Sequence, residues 1–401
     1  MLELLFLLLP IAAAYGWYMG SRSARQKYQA TSNRLSREYV DGLNFLLTNQ
    51  RDKALDHFLD LLKEESGTLE VHLTLGNLFR SQGEVNRAIR IHQMLMENES
   101  LTFEQRLLAA QQLGRDYLAA GFYDRAEERF KQLVDEPEFA INALQQLTII
   151  YQSTSDWQKA INVAMRLVKL GRHEYNEHIG QFYCELAAQE IKHSVYKKAS
   201  SFLHKALAAN KDCARASLML GQISMAMGDM ETAISKLTQI VDQDKTLIGE
   251  AMPYLKRCYQ QVDRGEEFKL FLEHCADSDP GNTATLMLAE IINEQSGLDA
   301  AQHYVHRALL RQPNLKGFYR LMEYHLAEAE EGRAKDSLIL LRKIVGEQIK
   351  SSPNYRCERC GLTVNAIYWL CPACRKWSTI KPIKDFDHQK QVQKLDNDSF
   401  S

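Results

Sequence analysis

The sequence predicts an all-α protein: an array of paired helices, with an apolar segment ahead of it and a small cysteine-rich module behind it. Three observations lead there. Proline and glycine are scarce, 8 and 20 in 401 residues, which leaves few of the breaks that a turn-rich β protein needs. A small residue returns at a spacing near 34 through most of the chain. Four of the eight cysteines fall between Cys357 and Cys374 as two Cys-x-x-Cys pairs.

The broad class follows from composition. Hydrophobic residues make up 45% and charged residues 25%, the balance of a soluble globular chain. The length suits two or three domains or one long repeat array. A net charge of −2 provides no basic field and speaks against nucleic acid as a partner.

Residues 1–20 read MLELLFLLLPIAAAYGWYMG, with Glu3 the one charged side chain. As a helix they would span about 30 Å, the thickness of a bilayer core. Trp17 and Tyr18 stand where an interfacial belt would lie. The rival is a cleaved signal, with AAAY at Ala12–Tyr15 resembling a small-residue cleavage site. A signal carries its positive charge before the apolar core. Here Arg22, Arg25, Lys27, Arg34 and Arg37 come after it. We expect an uncleaved transmembrane anchor at 1–20, a basic juxtamembrane segment at 21–34, and the rest of the chain in the cytoplasm.

The repeat is read from Ala54, Ala88, Ala126, Ala160, Ala199, Ala233 and Ala301. The first five intervals are 34, 38, 34, 39 and 34 residues; the last is 68, with Phe268 in the intervening slot. Ser337 holds the slot of a looser ninth copy. Leu75-Gly76, Leu113-Gly114 and Leu220-Gly221 sit twelve residues ahead of their alanines, and Pro137, Pro280 and Pro313 fall at repeat ends. The pattern resembles the tetratricopeptide repeat, a helix–turn–helix of about 34 residues. Small residues at positions 8 and 20 would let paired helices approach, and aromatics at 11 and 24 would fill the remaining space. Gly83, Gly121 and Gly228 would end first helices, and the surplus in the two long intervals would lie in loops. This predicts about nine helix pairs over 35–349, stacked as a superhelix whose concave face binds peptide or protein segments.

Other chemistry is thin. His303 and His306 share a helix face, and His173 and His178 are close in sequence, but neither pair has the ligands of a closed zinc site. Phosphate-loop, dinucleotide and nucleophile-elbow motifs are not found, so we expect no enzyme and no catalytic residues. Cys184, Cys213, Cys258 and Cys275 lie in helical patterns at wide spacings and are expected to be reduced packing residues.

The module at 355–383 is more specific. Cys357-Glu-Arg-Cys360-Gly361 and Cys371-Pro372-Ala-Cys374 are separated by ten residues. In a reducing compartment two such pairs make a tetrathiolate metal site rather than disulfides or a redox motif. A closed shell of Cys357, Cys360, Cys371 and Cys374 makes the metal structural, and zinc and iron both accept it. Tyr368, Trp369 and Trp377 would cover a site too small for a core of its own. The short linker Lys350–Tyr355 suggests that the module docks on the last helices. Residues 384–401 read as a polar tail.

This order of parts, with "REYVDGLNFLL" opening the first repeat and "YWLCPACRKWSTIKPI" at the C-terminal end, resembles the lipopolysaccharide assembly protein B family of Gram-negative bacteria. The resemblance covers residues 1–383. It implies a single-pass inner-membrane protein with a periplasmic N-terminus. It implies that Cys357, Cys360, Cys371 and Cys374 hold one ion, with rubredoxin likeness favouring iron. It implies an adaptor that promotes degradation of the deacetylase LpxC by the membrane protease FtsH, among other lipopolysaccharide assembly proteins. Two other readings remain: a scaffold for assembly enzymes without a role in proteolysis, and a redox-active rubredoxin-like protein.

Overall fold

Helix follows helix from Leu69 to Ser351. The computed structural model describes residues 17–20, 40–42, 44–45, 53–54, 56–57, 69–276 and 282–383. The chain divides into two units, Met1–Ser155 and Asp156–Ser401.

In the first unit α1 (Leu69–Ser81), α2 (Val85–Glu97), α3 (Phe103–Ala119), α4 (Tyr123–Leu133) and α5 (Pro137–Ser153) each pack on the next. Their starts are readable locally. Thr102 and Gln105 form a capping box ahead of α3, and Pro137 opens α5 at a position where its missing N–H costs nothing. Ala54 lies in the same core as Leu75, Phe79, Ile91 and Leu95. A polar network crosses this unit. Asp116, fully buried, accepts from Arg80 Nη1 at 2.8 Å and pairs with His92 Nδ1 at 2.5 Å. Arg80 also donates to Asn77 and Gln112. Breaking one member of such a set strands a buried charge, so its members hold three helices in one register.

The second unit begins with α6 (Trp157–Lys169), α7 (Tyr175–Lys192), α8 (Tyr196–Ala209), α9 (Ala214–Ala226) and α10 (Met230–Thr238). A short α11 (Ile240–Gln243) and a 3-10 turn, Lys245–Leu247, lead into α12 (Ile248–Gln261). Then come α13 (Gly265–Cys275), α14 (Thr283–Ser296), α15 (Leu298–Arg311), α16 (Leu315–Glu328) and α17 (Arg333–Ser351). The chain ends its described part in three short strands, β1 (Tyr355–Cys357), β2 (Thr363–Val364) and β3 (Ile380–Pro382), in the order β2-β1-β3, all antiparallel.

The helices pair as tetratricopeptide repeats do, and the packing explains the pattern. All seven recurrent alanines are inaccessible to solvent, and Phe268 in the seventh slot is buried. A Cβ placed on Gly76, Gly114 or Gly221 would meet His92, Phe130 or Leu237 at 2.4, 2.9 and 2.5 Å. The glycine exists to admit the large side chain four residues after the alanine. Between paired helices one residue turns left-handed: Gly83, Gly121 and Gly228, with φ of 81°, 78° and 83°. Ser155, Ser194 and Asp263 take the same slot and the same conformation, with φ of 59°, 59° and 55°. The geometry of the turn thus persists where the glycine does not, at a cost to the backbone.

Two expectations change. The surplus residues of the long intervals do not all lie in loops; the connectors 98–102 and 170–174 share them with lengthened helices, 17 residues in α3 and 18 in α7 against 13 in α1 and α9. Ser337, in the ninth slot, is exposed, and α17 buries no residue. The anchor, apart from 17–20, and the segments 21–34 and 384–401 lie outside the described residues. Among the described residues no helix is long and apolar enough to cross a membrane.

Opposite effects are expected from two glycine exchanges. Gly114→Ala drives a methyl against Phe130 and should cost about 1–3 kcal/mol. Ser194→Gly relieves a left-handed serine and should gain about 1 kcal/mol. Hydrogen exchange should quicken in α3 and α4 for the first and slow in α7 and α8 for the second.

Candidate metal centre

Two turns of the same design face each other in the C-terminal module. In the first, the Cys357 N–H donates to Leu362 O at 2.8 Å and the Gly361 N–H to Cys357 O at 2.9 Å. In the second, the Cys371 N–H donates to Lys376 O and the Arg375 N–H to Cys371 O, both at 2.9 Å. The fifth residue of each is left-handed: Gly361 at φ 77° and Arg375 at φ 54°. Each Cys-x-x-Cys therefore winds its two thiols toward one point. The three-stranded sheet and the Leu370–Trp377 bridge hold the two turns together.

All four Sγ atoms lie within 4.8 Å of one another. Cys357 and Cys374 are 3.7 Å apart, as are Cys360 and Cys371. Metal–sulfur bonds of about 2.3 Å in a tetrahedron require sulfur–sulfur edges of about 3.8 Å. The cage thus fits a tetrahedral ion. Its acidity is graded. Burial opposes ionisation of Cys357, but the Thr379 hydroxyl 3.3 Å away and the amides of Cys360 and Arg359 prevail and bring its thiol down to about 6. Cys360 accepts from the Leu362 amide, yet burial and the crowding of the other three sulfurs push it up to about 11. A cation placed among four such sulfurs removes this repulsion, which is how a bound metal takes the place of a core. Cys371 is fully buried and Cys360 exposed. Among the described residues this is the one group of three or more His, Cys, Asp or Glu side chains close enough to hold a metal.

The module is not seated where its linker suggested. Its side-chain hydrogen bonds and ring contacts run to residues 157–250, and the last helices border it only at a cleft. Trp377, 5% exposed, stands edge-on to Trp157 and Phe182 at 6.3 and 6.0 Å between ring centres. Those two rings stack at 5.9 Å. Gln181 Nε2 donates to Ser378 Oγ at 3.0 Å, and the Tyr355 hydroxyl donates to Glu250 at 2.5 Å. Lys381 pairs with Asp244, which also accepts from the Thr246 amide in the 3-10 turn. The Arg215 guanidinium lies 5.6 Å over the Trp369 ring. The last helices contribute Lys316 and Ile349 to an open cleft of about 200 Å³ beside Tyr355 and Pro382. Trp369 joins Ile367 against the core cluster that runs from Ala214 to Leu288, while Tyr368 remains half exposed. Trp377 and Trp369 therefore serve the join to the array more than a lid over the sulfurs.

Gln181, Arg215, Asp244 and Glu250 are ordinary polar residues of helices and turns, with no motif around them. Nothing in their spacing signals a seat. The histidines carry no metal geometry: His303 and His306 are exposed. His178 lies between Tyr175 and Phe182, with ring centres at 5.0 and 6.3 Å. Burial holds its imidazole below the usual range, and Lys376 adds to the effect.

A family model described as a rubredoxin metal binding domain matches residues 355–382. Over nearly its whole length the chain is similar to two curated proteins. Lipopolysaccharide assembly protein B of Escherichia coli (strain K12) is 58% identical over 387 residues, covering 96% of this chain and 100% of that one. Lipopolysaccharide assembly protein B of Haemophilus influenzae is 48% identical over 396 residues, covering 97% and 100%.

Truncating Trp377 to alanine removes the central ring of the seat and should cost about 3–5 kcal/mol of docking. Limited proteolysis should then cut at 352–354, where the intact protein resists. Acid should weaken the same region. Because folding depresses the pKa of His178, the unfolded chain takes up a proton first as pH falls below about 6.5, and stability drops there. His178→Gln should flatten that slope in thermal unfolding measured from pH 7.5 to 5.5.

Proposed function

The chain belongs to the lipopolysaccharide assembly protein B family, and on that footing we propose that it acts in lipopolysaccharide assembly as a non-catalytic adaptor. The observation that carries this reading is the likeness to relatives of that name along their whole length, and the Cys₄ cage of this chain fits beside it. Paired helices present long surfaces to protein segments, and a closed tetrathiolate offers no open position for a substrate.

The finer reading is a membrane-tethered adaptor that promotes proteolysis of the deacetylase LpxC by FtsH. The apolar segment 1–20 and the basic residues after it support a tether with the array on the cytoplasmic side. A tether raises the effective concentration of the array beside a membrane protease and so helps a weak client contact. The ion, iron or zinc, would neutralise the four sulfurs and rigidify the module; the chain's own residues, Trp377, Ser378 and Lys381, then fix that module to α6, α7 and the turn before α12. Adaptor function is thereby linked to metal loading through packing, without bond chemistry.

The lifetime of the deacetylase in cells tests this. Three chains are compared: the intact one, one lacking residues 1–20, and the Cys357→Ser, Cys360→Ser double variant. A short lifetime with the intact chain and a long one with both variants is expected. Equal lifetimes in all three would remove the proteolytic role and favour a scaffold.

A further inference from the structure

Two of the four cysteines outside the metal cage are brought together by the fold. Cys184 on α7 and Cys213, just ahead of α9, are 29 positions apart, yet their sulfurs are 3.9 Å from each other. We propose that Cys184 and Cys213 form a reversible thiol–disulfide site, with Cys213 the attacking sulfur and Cys184 the resolving one, and with peroxide as the oxidant.

The surroundings of the two sulfurs differ in the required sense. Cys213 lines a cleft of about 380 Å³ that also reaches Trp369, Ser378 and Lys381 of the metal module. Cys184 is fully buried behind it. Cys213 stands at the positive end of the 13-residue helix α9. The amide of Gln181 is held in one orientation: its oxygen accepts from Arg215 Nη1 at 3.2 Å, so its nitrogen faces both Ser378 Oγ at 3.0 Å and Cys213 Sγ at 3.7 Å. The Cys184 thiol and the Ala216 amide supply further donors, and the Cys213 thiol is brought below its usual range. Burial keeps Cys184 protonated until it is needed. Cys213 is itself buried, 2% exposed, in the wall of that cleft; a thiol with a lowered pKa, bordering a cleft and backed by a second thiol, is the arrangement of a redox-sensitive pair.

The chemistry balances with one peroxide. The Cys213 thiolate attacks a peroxide oxygen, the O–O bond breaks, and a hydroxide leaves to become water by taking a proton. The sulfur is now a sulfenic acid. Cys184, losing its proton, attacks that sulfur; the S–S bond forms, the S–O bond breaks, and a second water departs. The sulfurs must close from 3.9 Å to about 2.05 Å. Gln181, which contacts Cys213, also holds Ser378 of the metal module. In a reducing compartment the pair rests as thiols and returns to them by thiol exchange.

The full chain, as isolated with its metal, is exposed to a small excess of hydrogen peroxide, unfolded in iodoacetamide and cut with trypsin without reductant. We expect peptide 212–215 (DCAR) disulfide-linked to peptide 173–192, released by dithiothreitol, with metal content unchanged. In Cys184→Ser, Cys213 should be captured as a sulfenic acid by a 1,3-diketone probe; in Cys213→Ser, Cys184 should stay an alkylatable thiol. Recovery of both residues as alkylated thiols in the intact chain would overturn the proposal. So would a link that appears only as metal is lost, or one joining either residue to the Cys₄ sulfurs. If a variant does not fold, the intact chain decides alone.

Discussion

A stretch as short as residues 355–382 cannot exclude enough water to hold itself together. Two interactions supply what it lacks. The four sulfurs converge on one point from inside, and the rings of Trp157 and Phe182 receive Trp377 from outside. An aromatic centre is bordered by polar contacts, Gln181 with Ser378, Asp244 with Lys381 and Glu250 with Tyr355, the plan of an interface in which a few buried rings carry the energy and the rim keeps water out. Its strength lies in the ring burial; the rim sets position.

The array solves a different problem, that of repeating one contact with changing residues. The unit of repetition is a pair: a residue without a side chain on one helix and a bulky side chain on the next. Gly114 with Phe130 and Gly221 with Leu237 are the apolar forms. Gly76 with His92 is a polar form, and it brings consequences the others do not have. An imidazole in that slot needs a partner, Asp116 provides it, and Arg80 then balances Asp116. One departure from apolar packing has thus required a buried network across three helices.

Seated where it is, the metal module couples its state to the middle of the chain. Gln181 is the narrowest point of that coupling, since one amide group touches Ser378 of the module, Arg215 and Cys213. Both the metal module, through Ser378, and Cys213 therefore touch the same residue of α7.

Much of the fold was legible in the sequence because its determinants are local or periodic. The alanine spacing marks the pairs, since a fixed number of residues per turn returns a small side chain to each helix crossing. The two Cys-x-x-Cys runs mark the cage, since each knuckle is closed by its own backbone hydrogen bonds. Ser194 and Asp263 were not legible as left-handed residues, because the packing of the paired helices imposes that turn against local preference. The seat of the module and the approach of Cys184 to Cys213 were decided by tertiary structure alone. Both join residues far apart in the chain through side chains that carry no pattern, and a linker's length says how far a module can travel but not which surface it will bury.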